Sequence, residues 1–266
     1  RDATGAGMMD CKKALDESNG DYDAAVKLLK ERGLAAVAKR SERATAEGHI
    51  FVRQVGNKIA VAELCCETDF VSNNEDFKKS GEKILDTIFE KGYTKVEQEL
   101  SDILLDFATR TRENMSVSKV QVVEVPANAA SGIYVHSDFK SAAVVVIKGS
   151  ADEKAAALAK DCCMTQVAYK PAYIRKEEVP QSYIDEQKEI VLAQMNADEK
   201  MASKPEAAKA KILEGKINKT LGEVSLLDQS SVEDDKMTIA QRIDAVSKEL
   251  GTKLEIGEVN MFLLGK

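Results

Sequence analysis

Three groups of residues have types and spacings that bear on chemistry. The first is a pair of adjacent thiols that occurs twice, Cys65-Cys66 and Cys162-Cys163, with Cys11 as the fifth cysteine. Thiolates attack disulfides and bind metals, so redox or metal chemistry is the function they raise. Adjacent cysteines rarely reach disulfide geometry, the total is odd, and neither C-x-x-C nor a Cys/His ligand spacing occurs. The plain reading is reduced, buried thiols, and a redox role requires a basic cluster to lower a thiol pKa, which the sequence does not supply. The second group is the two histidines, His49 and His136, both in strand-like segments. No Ser/His/Asp grouping, H-E-x-x-H, phosphate-loop or G-x-G-x-x-G sequence accompanies them. Gly5-Ala6-Gly7 follows no strand and has no lysine at phosphate-loop spacing, so phosphate binding is not expected. The third group is Glu67-Thr68-Asp69-Phe70-Val71. Thr and Asp favour turns by bonding nearby backbone, and the phenylalanine that follows them reads as a core anchor. No catalytic set, cofactor or metal is expected, so the chain reads as a protein that binds rather than an enzyme.

Composition narrows the partners. The chain has 266 residues, 44% of them hydrophobic, no tryptophan and a net charge of −7. Aliphatic packing must fill the core. An acidic chain is a poor default binder of nucleic acid or of anionic membranes, and no basic run with interleaved aromatics is present. No apolar run approaches the ~18 residues of a membrane span, and no signal peptide is visible. Reduced thiols and the lack of a targeting segment point to a reduced compartment, the cytoplasm, whether bacterial or organellar.

Elements must position these groups. After the Thr4-Gly5-Ala6-Gly7 bend, Cys11, Ala14, Leu15 and Ser18 share one face of a short helix. Asn19-Gly20-Asp21 breaks the chain, and Tyr22, Ala25, Val26 and Leu29 form a second apolar stripe that Gly33 closes. Residues 34–48 read as a charged, partly helical tether. His49–Val55 and Lys58–Cys66 are then rich in Val, Ile and Ala around Gly56-Asn57, the signature of a β-hairpin. Phe77, Gly81, Ile84, Leu85 and Ile88 mark one helix, and Leu100, Ile103, Leu104 and Phe107 another. Val117–Val125 returns to strand character, and Pro126-Ala127-Asn128 marks a boundary.

The order then repeats. Ile133–His136 and Ala142–Lys148 form a second hairpin around Asp138. Ser150-Ala151-Asp152-Glu153 is a capping-box pattern opening a helix with Ala155, Leu158, Ala159 and Cys162 on one face. Ile239, Ile243, Val246 and Leu250 mark a further helix, and Lys253–Leu263 alternates as a closing strand. Hairpin, helix, strand occurs twice, which predicts two related α+β subdomains, each an antiparallel sheet covered by helices. Residues 180–221 interrupt the second copy with sparse apolar positions (Ile184, Val191, Met195, Ile212, Ile217, Leu221) and a break at Lys204-Pro205. Two readings stand for this helical hairpin: a solvated arm, or an antiparallel coiled coil that makes a homodimer.

The opening Thr4–Leu15, with Thr68-Asp69-Phe70-Val71 straight after a buried strand, resembles the elongation factor Ts family. Glu113-Asn114-Met115, Lys170-Pro171-Ala172-Tyr173-Ile174 and Gly222-Glu223-Val224-Ser225-Leu226 extend the likeness through most of the chain in family order. The resemblance implies a ubiquitin-associated-like helical domain at 1–40 and a core subdomain at 41–126. It further implies a second core subdomain at 127–266 that carries the coiled-coil insertion. It implies guanine-nucleotide exchange on elongation factor Tu, without cofactor. Thr68, Asp69, Phe70 and Val71 would form the tip that wedges into the partner, disturbing its Mg²⁺ site and phosphate loop. Met9 and Lys12 on the first module, Lys39 and Arg40 in the tether, and His136 of Tyr134-Val135-His136 would also touch the partner. From the residues alone, His136 reads equally as a half-buried strand histidine. The helix that precedes the bend in the family is mostly missing here, which reads as a trimmed start, and no further carboxy-terminal helical module is expected. Val232-Glu233 stands near a loop where the family often carries two apolar residues, so one apolar contact is expected to be lost. A ubiquitin-associated-like binding adaptor and a thiol redox protein are the alternatives.

Overall fold

The structure, a computed structural model, describes Thr4 and residues 6–266, apart from the side chains of Leu34, Glu199 and Ala202. The Gly5 position of the opening bend lies outside the described residues. The fold is α+β, in two compact units. One comprises the chain up to Val125 with residues 135–142 and 262–266, and the other comprises 126–134 and 143–261.

In the first unit come α1 (Met8–Glu17), α2 (Tyr22–Ala38), β1 (Glu47–Val55), β2 (Lys58–Cys66), α3 (Asp69–Ser72), α4 (Glu75–Lys91), α5 (Gln98–Thr111) and β3 (Met115–Glu124). Asn19 and Gly20 take left-handed φ values of 52° and 82° between the first two helices, and Asp21 caps α2 by accepting from the Ala24 amide at 3.0 Å. Ala14 and Ala25 of these helices are buried, while Leu15 and Tyr22 of the expected stripes are exposed. Gly33 does not close α2, which runs on to Ala38. A Cβ at Gly33 would lie 2.5 Å from the Thr109 Cγ2 of α5, so the glycine is a packing device in mid-helix.

The sheet has the order β1-β2-β3, antiparallel throughout. Val55 pairs with Lys58 across Gly56, whose φ of 59° suits the first position of a II′ turn. The central strand is buried from Ile59 to Cys66. Ala60, Ala62, Leu64 and Cys66 alternate toward α4 and α5, meeting Phe77, Ile84, Leu85, Ile88, Leu100, Leu104 and Phe107 in one core.

The second unit's elements are β4 (Ala129–Val135), β5 (Ser141–Lys148), α6 (Glu153–Tyr169), α7 (Gln181–Ala197), α8 (Glu199–Ala202), α9 (Glu206–Glu223), α10 (Ile239–Leu250) and β6 (Glu255–Leu263). Their sheet has the order β4-β5-β6. Ala143, Val145 and Ile147 pack on Leu158, Ala159 and Cys162 of α6 and on Ile239, Ile243 and Val246 of α10. The residue capping α6 is Asp152, whose carboxylate accepts from the Lys154 amide at 2.8 Å. Ser150, expected in that role, instead accepts from the Asp152 amide at 3.1 Å. The expected box is not formed, because Asp152 stands directly at the helix start. The arm is a helical hairpin with its own seam of Val191, Met195, Ile217 and Leu221, closed between α7 and α9. Among the described residues, no helix is long and apolar enough to cross a membrane.

Candidate docking site

The Thr68–Val71 segment follows the most deeply buried strand of the first unit and turns at once into α3, a helix of 4 residues. One helical turn has an inner and an outer side. Val71 and Ser72 are buried, while Asp69 and Phe70 face outward. Phe70 is 87% exposed, more than any other large apolar side chain among the described residues. The core-anchor reading of Phe70 is therefore wrong. Val71 takes the inward position, and Phe77 fills the core beyond it. A phenylalanine left in water forgoes roughly 1.5–3 kcal/mol of burial.

The base of this tip is held by carboxylates. Strand pairing between β2 and β3 ends at Cys66 opposite Met115. Beyond it, side chains continue the ladder. Glu113 Oε2 accepts from the amides of Glu67 at 3.2 Å and Thr68 at 3.1 Å, and its Oε1 accepts from the Thr68 hydroxyl at 2.6 Å. In return, Glu67 Oε1 accepts from the Asn114 amide at 2.6 Å. Asn114 is buried and donates its side-chain amide to the carbonyls of Arg43 at 2.8 Å and Ser41 at 3.2 Å. Thr68 stands at the N-cap of α3 with no capping hydrogen bond, and its hydroxyl donates to Glu113. Asp69 keeps its carbonyl busy with Ser72 and Asn73, and its side chain lies at the surface.

His136 is exposed in the turn after β4, so the half-buried strand reading of it does not hold. Its amide donates to the Ser141 carbonyl and its carbonyl accepts from the Phe139 amide, both at 2.8 Å. Phe139 adopts a left-handed φ of 59°, uncommon for a bulky residue, and its ring lies 4.6 Å from that of His49, centroid to centroid. The Phe139 carbonyl accepts from the Ile50 amide of β1 at 2.8 Å. Lys140 pairs with Glu47 at 2.6 Å. That hydrogen bond raises the Lys140 pKa, and the charges of Glu47, Asp138 and Asp69 add to it. The field of Asp69 thus reaches the His136 turn. Burial lowers the His49 pKa, and Lys78 and Lys140 lower it further.

The remaining candidates divide. Met9 and Lys12 are exposed on α1, and Lys39 is exposed at the end of α2. Arg40 is buried, donating to the carbonyls of Ala36 at 2.9 Å and Ala108 at 3.5 Å, so it joins the carboxy-terminal ends of α2 and α5. That is a favourable seat for a cation at two helix dipoles, and it takes Arg40 away from the surface. The thiols run against the redox alternative. Burial pushes Cys66 and Cys163 up to about 12, and raises Cys65 and Cys162 as well. A reactive pair needs the opposite shift. Among the described residues no group of three or more His, Cys, Asp or Glu is placed to hold a metal ion. Glu113, Asn114 and Lys140 are the site residues missed from the sequence. Glu113-Asn114 stands in a segment shared with the family, but no spacing rule ties it to residues so far back in the chain.

The chain is similar to known proteins along its length. Residues 67–266 match the family described as Elongation factor TS. Elongation factor Ts of Treponema denticola is 43% identical over 270 residues, covering 100% of this chain and 95% of the relative. Elongation factor Ts of Treponema pallidum is 38% identical over 281 residues, covering 100% and 96%. Elongation factor Ts of Clostridium acetobutylicum is 36% identical over 280 residues, covering 100% and 90%. The chain belongs to the elongation factor Ts family of translation elongation factors.

Proposed function

We propose that this chain is a guanine-nucleotide exchange factor that binds the GDP form of elongation factor Tu and promotes GDP release by contact alone. The observation that carries the reading is Phe70, 87% exposed beside Asp69 on a one-turn helix whose base is hydrogen-bonded to a neighbouring loop. A hydrophobic side chain on a braced tip is suited to insertion into a pocket that opens in the partner's nucleotide-free state. Binding that state better than the GDP-bound state shifts the partner toward it. Linkage then requires GDP to weaken the factor by the same ratio as the factor weakens GDP. GTP binds and the factor leaves. The chain makes and breaks no bond and needs no cofactor.

Phe70 acts as the wedge and Asp69 as the charge carried to the metal site. Thr68 and Val71 secure the tip from below. Exposed Met9, Lys12 and Lys39 supply affinity from the helical module and tether, His136 adds a contact from its turn, and Arg40 serves by fixing α2. In this reading the parts are 1–40 for capture, 41–126 for the wedge, and 127–266 for the second subdomain. The five unpaired thiols support a reducing compartment, the cytoplasm, where translation runs. Nucleic acid and membrane are not partners in this reading. The test is release of a fluorescent GDP analogue from elongation factor Tu. Acceleration that rises with the concentration of this protein and is lost in Phe70→Ala is expected. An unchanged release rate at saturating protein overturns the proposal.

A further inference from the structure

We infer that Glu113 is the positioning residue of the Asp69-Phe70 tip, an assignment that rests on the exchange reading above. The strand that leads to the tip loses its backbone partner at Cys66. Three donors then stand in sequence at the exit: the Glu67 amide, the Thr68 amide and the Thr68 hydroxyl. All three go to one carboxylate, that of Glu113. Hydrogen bonds to a charged acceptor are the strong ones, and two oxygens gripping successive groups fix direction as well as distance.

The loop bearing Glu113 is itself pinned. Arg112 ends α5 at a left-handed φ of 61°, where α4 and α10 end on Gly92 and Gly251. The residue after Glu113, Asn114, is buried and tied by its backbone amide to Glu67 and by its side chain to Ser41 and Arg43. The acceptor is therefore rigid, and the exit of the chain from β2 is set by it. The Thr68 hydroxyl would normally cap α3. Here no such cap is made and the hydroxyl donates to Glu113, so the bond that orients the start of the helix carrying Phe70 is non-local. A tip held this way reaches the partner already in shape, and loses no ordering entropy on insertion.

This predicts a split between capture and release. The hydrogen bonds of the Glu113 carboxylate go to Glu67 and Thr68, at the base of the tip. Losing that carboxylate should leave docking largely intact and degrade the insertion step. In GDP-release titrations on elongation factor Tu, Glu113→Ala is expected to lower the maximal acceleration about tenfold, the equivalent of ~1.4 kcal/mol. The half-saturating concentration is expected to change less than about threefold, since the exposed docking residues keep their contacts. Glu113→Gln keeps the shape but presents an N–H₂ to one of the donors, and should fall on the same side. Thr68→Val added to Glu113→Ala should cost nothing further, because both remove one interaction. Amide hydrogen exchange at Glu67 and Thr68 should speed up in both Glu113 variants while the thermal melt stays near the parent.

Parental maximal acceleration in the Glu113 variants, with those amides released, overturns the positioning role and leaves the exchange reading standing. So does an effect confined to half-saturation. If Glu113→Ala lowers the melt, Glu113→Gln carries the same test, and a Gln variant that also melts early identifies a purely structural residue. A parent protein that fails to accelerate release overturns the exchange reading, and the inference with it.

Discussion

The two sheets make the same connection in different ways. In each, a buried middle strand ends and the chain turns into a helix. After β5, the turn is closed by its own residues: Ser150 bonds the Asp152 amide and Asp152 bonds the Lys154 amide. After β2, the equivalent hydroxyl and amides of Thr68 and Glu67 are bonded by Glu113, from a loop after α5. The local solution yields a long helix, α6, buried along one face. The non-local solution yields one turn of helix with its phenylalanine in water. A helix start satisfied by its own caps is stable wherever it lies. A start held by another loop gives up that independence for a defined direction, which is what a docking tip needs.

Core loss in the second unit should show the largest effect. Leu158 is 1% exposed in the packing between β5 and α6. Leu158→Ala should destabilise by about 2–5 kcal/mol in a denaturant melt. GDP release per folded molecule should not change, and a slower release from fully folded Leu158→Ala would break the division of labour between the sheets. Phe70→Ala is the converse. It should melt with the parent, since the side chain is almost wholly exposed, and lose ~2 kcal/mol or more of partner binding, about thirtyfold. A Phe70→Ala protein that melts several degrees lower would mean that the tip belongs to the core after all.

The caps themselves give a finer contrast. Asp152→Ala removes a local N-cap and should cost ~1 kcal/mol of stability without touching exchange. Thr68→Val removes the bond to Glu113 and should do the opposite. Stability should barely move, and maximal exchange should fall about fivefold, the ~1 kcal/mol of one hydrogen bond. Equal behaviour of the two substitutions in melts and in release assays would erase the distinction drawn from their bonds.

What the residues disclose in advance follows the reach of each interaction. The hairpins were legible because alternation and a Gly-Asn pair act within a few residues, and the buried faces of α4 and α10 because their apolar spacing repeats within one helix. Gly33 was misread as a terminator because its purpose is to admit Thr109 of another helix. Ser150 and Asp152 both fit a cap, and only the geometry of the helix start chooses between them. Phe70 defeats the general rule that phenylalanine is buried: in a single turn, Val71 is enough to fill the inner side. Resemblance to a family pointed at the tip, whereas its support by Glu113 depends on a loop brought close only by folding.

The smallest effect concerns pH and separates the units once more. Both histidines of the chain, His49 and His136, lie in the first unit. His49 is buried in β1 against Phe139, and burial lowers its pKa below 6.5, with Lys78 and Lys140 acting in the same sense against Asp138 and Glu47. A base whose folded pKa is depressed binds its proton more readily when unfolded. Its contribution to stability is therefore whole above about pH 6.5 and declines as the pH falls through that value. Between pH 7.5 and 5.5, above the range where most carboxylates titrate, amide protection in β1 should fall while that in β5 holds. His49→Gln should flatten the response, because it removes the one histidine of β1. Equal loss of protection in both sheets, or a response that survives the substitution, would show that mild acid acts on the molecule as a whole and that the His49 pocket has no part in it.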